Sequence, residues 1–283
     1  MIEKKEVDLV EVKKQNILRH DIEAESFEAS HPEGSSFYEK SVVLKNISNI
    51  MKYSVNHNLC IDIGCGTGFI TNFELSRYRK VVAGDISTGM IKVIKHRFED
   101  KDNLNLLICD AENIPLRYGI ADLVSISSVL HHLPRPFRAI LEAARTLRQG
   151  GILYIIREPN DWFFSRFFAF LDYVINMIVI FFLPPKKSVS PMIGSFDQMK
   201  VHVHYPRGFN VQELIDFCLS NGFQLVSGHS YHWIFPKSDS AIVAELSSKI
   251  NFLVEKVPLS KRLGRYVCII MKKEGPSSHN LLL

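Results

Sequence analysis

The sequence lacks the cysteine pattern of a disulfide framework or of a cysteine zinc site. It has five cysteines, an odd number, and no C-x-x-C pair. We therefore expect reduced, mostly buried thiols. An excess of positive charge is also missing: 34 Lys and Arg against 30 Asp and Glu leave a net charge of +4, without a clustered basic face. This balance argues against nucleic acid as a partner.

The N-terminus has no apolar segment of the kind that directs secretion, because it is charged from its third residue. We therefore expect a cytoplasmic protein. The composition, 46% hydrophobic and 23% charged, excludes a disordered chain and favours one elaborated α/β domain without internal repeats. Phenylalanine is the residue in excess: there are 19, and many lie between residues 162 and 183.

Short apolar runs alternate with helical patterns along the chain. Strands are predicted at 59–63, 81–84, 104–109, 123–126, 152–156, 223–230 and 265–272, and helices at 8–28, 36–55, 69–78, 88–99, 136–148 and 211–221. Strands that alternate with helices predict a parallel, Rossmann-like doubly wound sheet. Ligands of such sheets bind at the carboxyl ends of the strands.

A glycine-rich turn follows the first predicted strand. Asp62-Ile-Gly-Cys-Gly-Thr-Gly-Phe69 contains Gly64, Gly66 and Gly68 in a G-x-G-x-G spacing, where the backbone can turn sharply and approach a ligand. The third glycine of the dinucleotide fingerprint is replaced by Phe69. Asp62 would repel a phosphate and attract a cation. S-adenosylmethionine, which carries an α-amino group and a sulfonium, fits this turn better than a dinucleotide.

Two acidic residues end the next two strands. Asp85 follows the first glycine by about twenty residues, where a carboxylate can accept both hydroxyls of a ribose. Asp110, followed by Ala111, ends the third strand, where a carboxylate can accept from an exocyclic adenine amine.

These motifs make residues 59–156 similar to class I S-adenosylmethionine-dependent methyltransferases of the type 11 small-molecule group. Further matching segments are Gly84-Asp-Ile-Ser87, Val129-Leu-His-His-Leu133 and Leu147-Arg-Gln-Gly-Gly151. The resemblance implies a seven-stranded sheet with the last strand antiparallel. It implies that Asp85 binds the ribose, that Asp110 and Ala111 bind the adenine, and that Ser127 lies near the methionine amino group. The predicted cofactor-binding residues are Asp62, Gly64, Cys65, Gly66, Gly68, Asp85, Ile86, Asp110, Ala111 and Ser127.

The sequence departs from one motif of related enzymes. Its fourth strand ends in Ser127-Ser-Val-Leu130 and lacks the Asn/Asp-Pro-Pro-aromatic motif typical of methylation of amino groups on adenine or glutamine. This departure disfavours those acceptors.

Methyl transfer needs a general base only when the acceptor must lose a proton. His131 and Glu158 are the two candidate catalytic residues, since both follow strands at the predicted ligand edge. His131 and its neighbour could instead pack structurally. We expect His132, Trp162, His202, His204 and Tyr205 to line the acceptor subsite. A metal site is not predicted, because the pair His202 and His204 lacks a third ligand.

A hydrophobic segment is inserted after the fifth strand. Its first part, 162–183, is predicted as a helix in which Ser165, Asp172 and Asn176 form a narrow polar stripe opposite a broad apolar face. This pattern suits a helix in a membrane interface, or a lid over an apolar pocket. A buried core helix and a homodimer face are the alternatives. Crossing a membrane is not expected, because Arg166 and Asp172 lie within the segment.

We predict five segments along the chain. They are an N-terminal helical segment that covers the sheet and cofactor site (1–58), the cofactor-binding core (59–157), the hydrophobic insertion (158–206), a C-terminal helix and antiparallel strand pair (207–274) and a flexible tail (275–283).

The predicted function is methyl transfer from S-adenosylmethionine to oxygen or carbon of a hydrophobic or lipid-linked small molecule. The enzyme is expected in the cytoplasm, with peripheral contact at the cytoplasmic face of the membrane through 162–183. Three alternatives stay open: a noncatalytic methyltransferase-like subunit, a methyltransferase of soluble metabolites that dimerises through the insertion, and a nicotinamide oxidoreductase.

Overall fold

The computed structural model describes residues 9–30, 36–161, 208–233 and 241–274, together with Phe170, Val174 and Met177. Seven strands form one mixed sheet: β1 (Leu59–Ile63), β2 (Lys80–Asp85), β3 (Leu104–Ile108), β4 (Ala121–Ser127), β5 (Leu147–Pro159), β6 (Phe223–Tyr231) and β7 (Tyr266–Lys273). Their order is β3-β2-β1-β4-β5-β7-β6. The first five strands run parallel to their neighbours, whereas β7 is antiparallel to β5 and β6. This arrangement confirms the predicted Rossmann-like sheet.

Helices cover both faces of the sheet. They are α1 (Leu9–Glu23), α2 (Phe27–Ser30), α3 (Phe37–Tyr53), α4 (Phe69–Glu74), α5 (Thr88–Arg97), α6 (Pro136–Thr146), α7 (Val211–Ser220) and α8 (Ala241–Glu255). Successive strand residues point to opposite faces. Cys60 therefore packs in the cluster that contains side chains of α3, α4 and α5, whereas Ile61 packs in the cluster that contains side chains of α6 and α7.

The structure differs from the predicted local structure in several places, including the end of α4 at Glu74 and the start of β5 at Leu147. The predicted N-terminal helix is divided into α1 and α2 by a 3-10 turn at Ala24–Ser26. Helix α8 was not predicted, although its partly buried Phe252 and Val254 pack against the core cluster of α3. Among the described helices, none is both long and apolar enough to cross a membrane.

Most of the hydrophobic insertion lies outside the described residues, including the predicted polar stripe. Phe170, Val174 and Met177 are described as helical. At 100° per residue these three positions fall within about 60° of one another on a helix. Phe170 is 64% exposed and Met177 is 56% exposed.

Two buried carboxyl groups lie next to each other beneath the glycine turn. The hydroxyl of Ser125 donates to Glu74 Oε1 at 2.7 Å, and its oxygen lies 3.4 Å from Asp62 Oδ1. Burial, followed by the charge of Asp62, raises the pKa of Glu74 to about 8. The folded protein therefore keeps a proton on Glu74 that the unfolded chain loses at lower pH.

This proton makes stability fall as the pH rises from about 4.5 to about 8, because the folded state binds more protons than the unfolded state. We expect Glu74→Gln to raise the free energy of unfolding at pH 9 by at least about 1 kcal/mol relative to wild type, and to have little effect at pH 4.5. Urea unfolding at both pH values measures the difference. Glu99→Gln, at an exposed position, is the control. An equal effect of Glu74→Gln at the two pH values would show that Glu74 is not protonated in the folded state.

Candidate active site

The glycine turn between β1 and α4 favours glycine at three positions, since Gly66 too has a left-handed φ, of +52°. Gly64 and Gly68 have φ values of +68° and +88°. A Cβ at Gly64 would lie 2.2 Å from Val129, and one at Gly68 would lie 2.6 Å from Phe98. At Gly66, by contrast, a Cβ would meet no atom within 4 Å. The turn therefore packs closely on two sides and leaves open space in front of Gly66.

Asp85 holds the turn in place from the end of β2. Its Oδ2 accepts from the Gly66 N–H at 2.9 Å, and its Oδ1 accepts from the Ser87 N–H at 2.9 Å. Burial raises the pKa of Asp85, against the effect of these two N–H groups. The carboxylate thus faces the cavity with both oxygens oriented by the backbone.

Asp110 contacts a residue of the N-terminal helix. Its Oδ2 accepts from Lys13 Nζ of α1 at 2.5 Å, and Lys13 Nζ also donates to Glu112 Oε2 at 2.7 Å. Although burial opposes it, these hydrogen bonds raise the pKa of Lys13. A second contact of α1 is made by Asp21, whose Oδ1 accepts from the Gly89 N–H at 2.7 Å and from the Ser87 hydroxyl at 2.6 Å. Both ends of α1 are therefore anchored to loops at the carboxyl edge of the sheet.

A cavity of about 340 Å³ lies between α1 and this edge. Nine of the ten predicted cofactor-binding residues line it: Asp62, Gly64, Cys65, Gly66, Asp85, Ile86, Asp110, Ala111 and Ser127. Gly68 is not in the wall, because it packs against Phe98 and Ile94 behind the turn. His131 and His132 also line the cavity, whereas Glu158 does not.

Sequence reasoning did not identify the residues that α1 contributes to the wall. These are Lys13, Asn16, Arg19, His20 and Glu23. Their spacing of three or four residues indicated a shared position, since it places these polar side chains on one face of the helix. Lys13 on that face binds Asp110, which is distant in sequence, so the helical spacing could not predict this contact.

His131, which is part of the cavity wall, and Glu158, which lies behind it, form a hydrogen-bonded pair. Glu158 is fully buried, and its Oε1 accepts from the N–H groups of Val129 and Leu130 at 2.7 and 2.9 Å. Its Oε2 lies 3.1 Å from the His131 backbone N and 2.8 Å from His131 Nδ1. Because a carboxylate only accepts, Nδ1 carries the hydrogen and Nε2 is the acceptor atom of the ring. From the sequence, His131 and Glu158 were both candidate catalytic residues. In the structure only His131 lines the cavity, and Glu158 orients the His131 ring.

Four residues predicted to line the acceptor subsite, Trp162, His202, His204 and Tyr205, lie outside the described residues. The described wall also contains Phe69, Ser128, Arg157, Pro159 and Tyr266. All five cysteines are buried and unbridged, as predicted.

The glycine turn, the acidic strand ends and the sheet order define a class I methyltransferase domain. Residues 61–155 match the family model described as methyltransferase domain. An uncharacterized chloroplastic methyltransferase of Arabidopsis thaliana is 33% identical over 102 residues, which cover 33% of this chain and 29% of the relative. A ubiquinone biosynthesis O-methyltransferase of Coxiella burnetii is 28% identical over 176 residues, which cover 61% of this chain and 67% of the relative.

The fold is similar to that of solved methyltransferases. A phosphoethanolamine N-methyltransferase of Haemonchus contortus, solved with S-adenosylhomocysteine, superimposes with a TM-score of 0.58 at 14% identity, over 98% of this chain and 52% of the other. Residues 61–155 therefore form a methyltransferase domain, and the fold is that of S-adenosylmethionine-dependent methyltransferases.

The cavity fits this cofactor in three respects. The open space at Gly66 lets a ligand approach the backbone, and the buried Asn16 Oδ1 has no hydrogen-bond partner among the described residues. A cationic ligand also suits the wall electrostatically. Burial, with a further contribution from the charge of Asp85, raises the pKa of Asp62 to about 6, and a bound cation would favour ionised Asp62.

Replacing Asp85 tests the cofactor assignment. We expect Asp85→Ala to weaken the binding of S-adenosylhomocysteine at least about tenfold, because two charge-assisted hydrogen bonds to a ribose would be lost. Isothermal titration calorimetry measures the affinity, and thermal unfolding shows whether the variant is folded. Asp100→Ala, at an exposed position, is the matched control. Unchanged affinity in a folded Asp85→Ala variant would reject the ribose contact.

Proposed function

We propose that the protein transfers the methyl group of S-adenosylmethionine to a hydrophobic small molecule whose accepting atom loses a proton. The acceptor atom is a hydroxyl oxygen or an acidic carbon. The observation that carries the proposal is the pair of His131 and Glu158, in which a buried carboxylate orients an imidazole that lines the cavity.

The pair has the construction of a general base. Glu158 binds His131 Nδ1, and it also accepts three backbone N–H groups of the turn after β4. The ring is therefore fixed in position and in tautomer, with Nε2 able to take a proton. We do not assign Glu158 itself as the base, because it is fully buried and its oxygens already have four donors.

The remaining wall residues have proposed roles in binding. Bound S-adenosylmethionine supplies an electrophilic methyl group. Asp85 would hold its ribose, Asp110 and the Ala111 N–H its adenine, and Asp62 and Ser127 its amino group. Helix α1 covers the cavity through Lys13 and would exclude water from the bound ligands.

Two observations support an apolar acceptor. One relative is named a ubiquinone biosynthesis O-methyltransferase. The helical positions of Phe170, Val174 and Met177 share one face, and two of these side chains are more than half exposed. We propose that this face makes peripheral contact with the membrane from which a lipid-linked acceptor is drawn. Trp162, His202, His204 and Tyr205 stay candidates for lining the acceptor subsite.

Two variants test the base. We expect His131→Gln to lower the rate of labelled methyl transfer into an organic extract at least about 100-fold, since the proton acceptor is lost. Glu158→Gln should cause a comparable loss, because a glutamine amide that donates to Nδ1 would move the ring hydrogen to Nε2.

The exposed His96 provides a matched control, and His96→Gln should retain the wild-type rate. Binding of S-adenosylhomocysteine reports whether each variant is folded. A His131→Gln variant that transfers methyl groups at the wild-type rate would show that the acceptor needs no base.

Membrane contact is tested by vesicle flotation. We expect the wild type to float with vesicles of phosphatidylcholine and phosphatidylglycerol, and the double variant Phe170→Asp, Met177→Asp to stay in the pellet, because two charges on the apolar face oppose insertion. Val55→Asp is the control, since Val55 is exposed before β1 at the opposite edge of the sheet. If the wild type does not float, the face contacts a second subunit or the acceptor instead, and sedimentation at several concentrations identifies dimerisation.

A further inference from the structure

The two buried carboxyl groups beneath the glycine turn differ in their access to the cavity. Asp62, near the end of β1, is 1% exposed and lines the cavity. Glu74, the last residue of α4, is fully buried and does not line it. Any effect of Glu74 on a ligand therefore passes through Asp62.

One hydroxyl lies between the two carboxyl groups. The Ser125 oxygen is 2.7 Å from Glu74 Oε1 and 3.4 Å from Asp62 Oδ1, and because a hydroxyl has one hydrogen, the shorter contact assigns it to Glu74. Asp62 has its own donor, the Thr71 hydroxyl, 2.6 Å from Oδ2. Glu74 Oε2 is buried and has no hydrogen-bond partner among the described residues. An oxygen without a donor suits a protonated carboxyl group, because the neutral form costs less to bury than the carboxylate.

No lysine, arginine or histidine of the described residues forms an ion pair with Asp62 or Glu74. The charge of Asp85 opposes the ionisation of Asp62. Burial raises the pKa values of the nearby thiols and phenols, which stay neutral below pH 9: those of Cys60, Cys65, Tyr78 and Tyr154. The protein therefore surrounds the pair with neutral or acidic groups.

The other charged or titratable groups of the cavity wall have contacts outside the pair. These contacts are Lys13 with Asp110 and Glu112, Arg19 with Glu23, His20 with Asp85 and His132, His131 with Glu158, and Arg157 with Glu39. The wall thus provides Asp62 with no ion-pair partner from a described residue.

The pair holds one proton near neutral pH. Burial raises the pKa of Asp62 to about 6, and burial together with the charge of Asp62 raises the pKa of Glu74 to about 8, so the proton lies mainly on Glu74. A cation bound against Asp62 would offset the charge that retains this proton, and it would lower the pKa of Glu74. A cationic ligand and the proton therefore compete for the same buried negative charge.

We propose that Glu74 controls cofactor binding through Asp62: the cationic amino group of S-adenosylmethionine displaces the proton that the buried pair holds. The buried region keeps its net charge, because one cation enters the wall as one proton leaves to the solvent. This inference rests on the proposed function, since it requires the amino group to lie against Asp62. Cofactor affinity then rises with pH until Glu74 is ionised in the free protein.

Isothermal titration calorimetry with S-adenosylhomocysteine, which carries the same amino group, measures the displaced proton. Titrations at pH 7.5 in phosphate and in Tris count it, because the two buffers differ in their enthalpy of ionisation. We expect the wild type to release about half a proton for each ligand bound, and its affinity to rise at least about threefold between pH 6.5 and pH 8.

Two variants assign the proton to the pair. Glu74→Gln keeps the shape of the side chain and removes its proton, so release should fall below about a fifth of a proton and affinity should change less than about 1.5-fold over the same pH range. Ser125→Ala removes a hydrogen bond that lowers the pKa of Glu74, and it should move the rise in affinity to higher pH. Glu99→Gln, at an exposed position, is the matched control and should release the proton as the wild type does.

Binding to the wild type without proton release overturns the proposal and leaves the proposed function standing. Release that persists at the wild-type level in a folded Glu74→Gln variant, as judged by thermal unfolding, overturns it as well. If Glu74→Gln does not fold, Ser125→Ala decides, and an unchanged pH dependence of affinity rejects the role of Glu74. Failure of the proposed function is a separate result: S-adenosylhomocysteine would bind at no pH, or the wild type would transfer no labelled methyl group. Absence of binding would contradict the cofactor site and this inference together.

Discussion

Buried carboxylates that accept backbone N–H groups hold the loops of this protein together. Asp85 binds the glycine turn and the start of α5, Glu158 binds the turn after β4, and Glu112 and Glu142 bind the N–H groups of Arg135 and Ile114. Apart from the contact of Asp85 with Ser87, each such bond connects residues at least 19 positions apart in the chain. Because an unpaired buried carboxylate would be costly, these contacts fix the loops in one arrangement.

The active site is a consequence of this arrangement. The turn that Glu158 holds places His131 in the cavity wall, and the turn that Asp85 holds leaves open space before Gly66. Helix α1 closes the cavity by the same kind of contact, since Asp21 accepts from the first turn of α5. Strain in the backbone of Ser128 and Arg157 is tolerated because the surrounding hydrogen bonds over-determine it.

Local patterns in the sequence predicted the sheet and nine residues of the cavity wall. The G-x-G-x-G turn, and Asp85 and Asp110 at strand ends, depend on contacts close in the chain or on one family's spacing, and they are visible as motifs. The contacts of Lys13 with Asp110 and of Glu158 with the turn after β4 are not visible in this way. They depend on which distant donors a buried carboxylate meets, and a single sequence does not encode that in any local pattern. Helix α8 has apolar residues at helical spacing, so a local pattern was sufficient to predict it.

The central claim is that this cavity methylates a hydrophobic acceptor that loses a proton. Incubating the protein with methyl-labelled S-adenosylmethionine and a host extract, then identifying the labelled product by mass spectrometry, tests that claim most directly. We predict a labelled methyl ether or C-methyl product in the organic fraction. Label that appears only in nucleic acid or protein, or in no product above the level of a protein-free control, would contradict it.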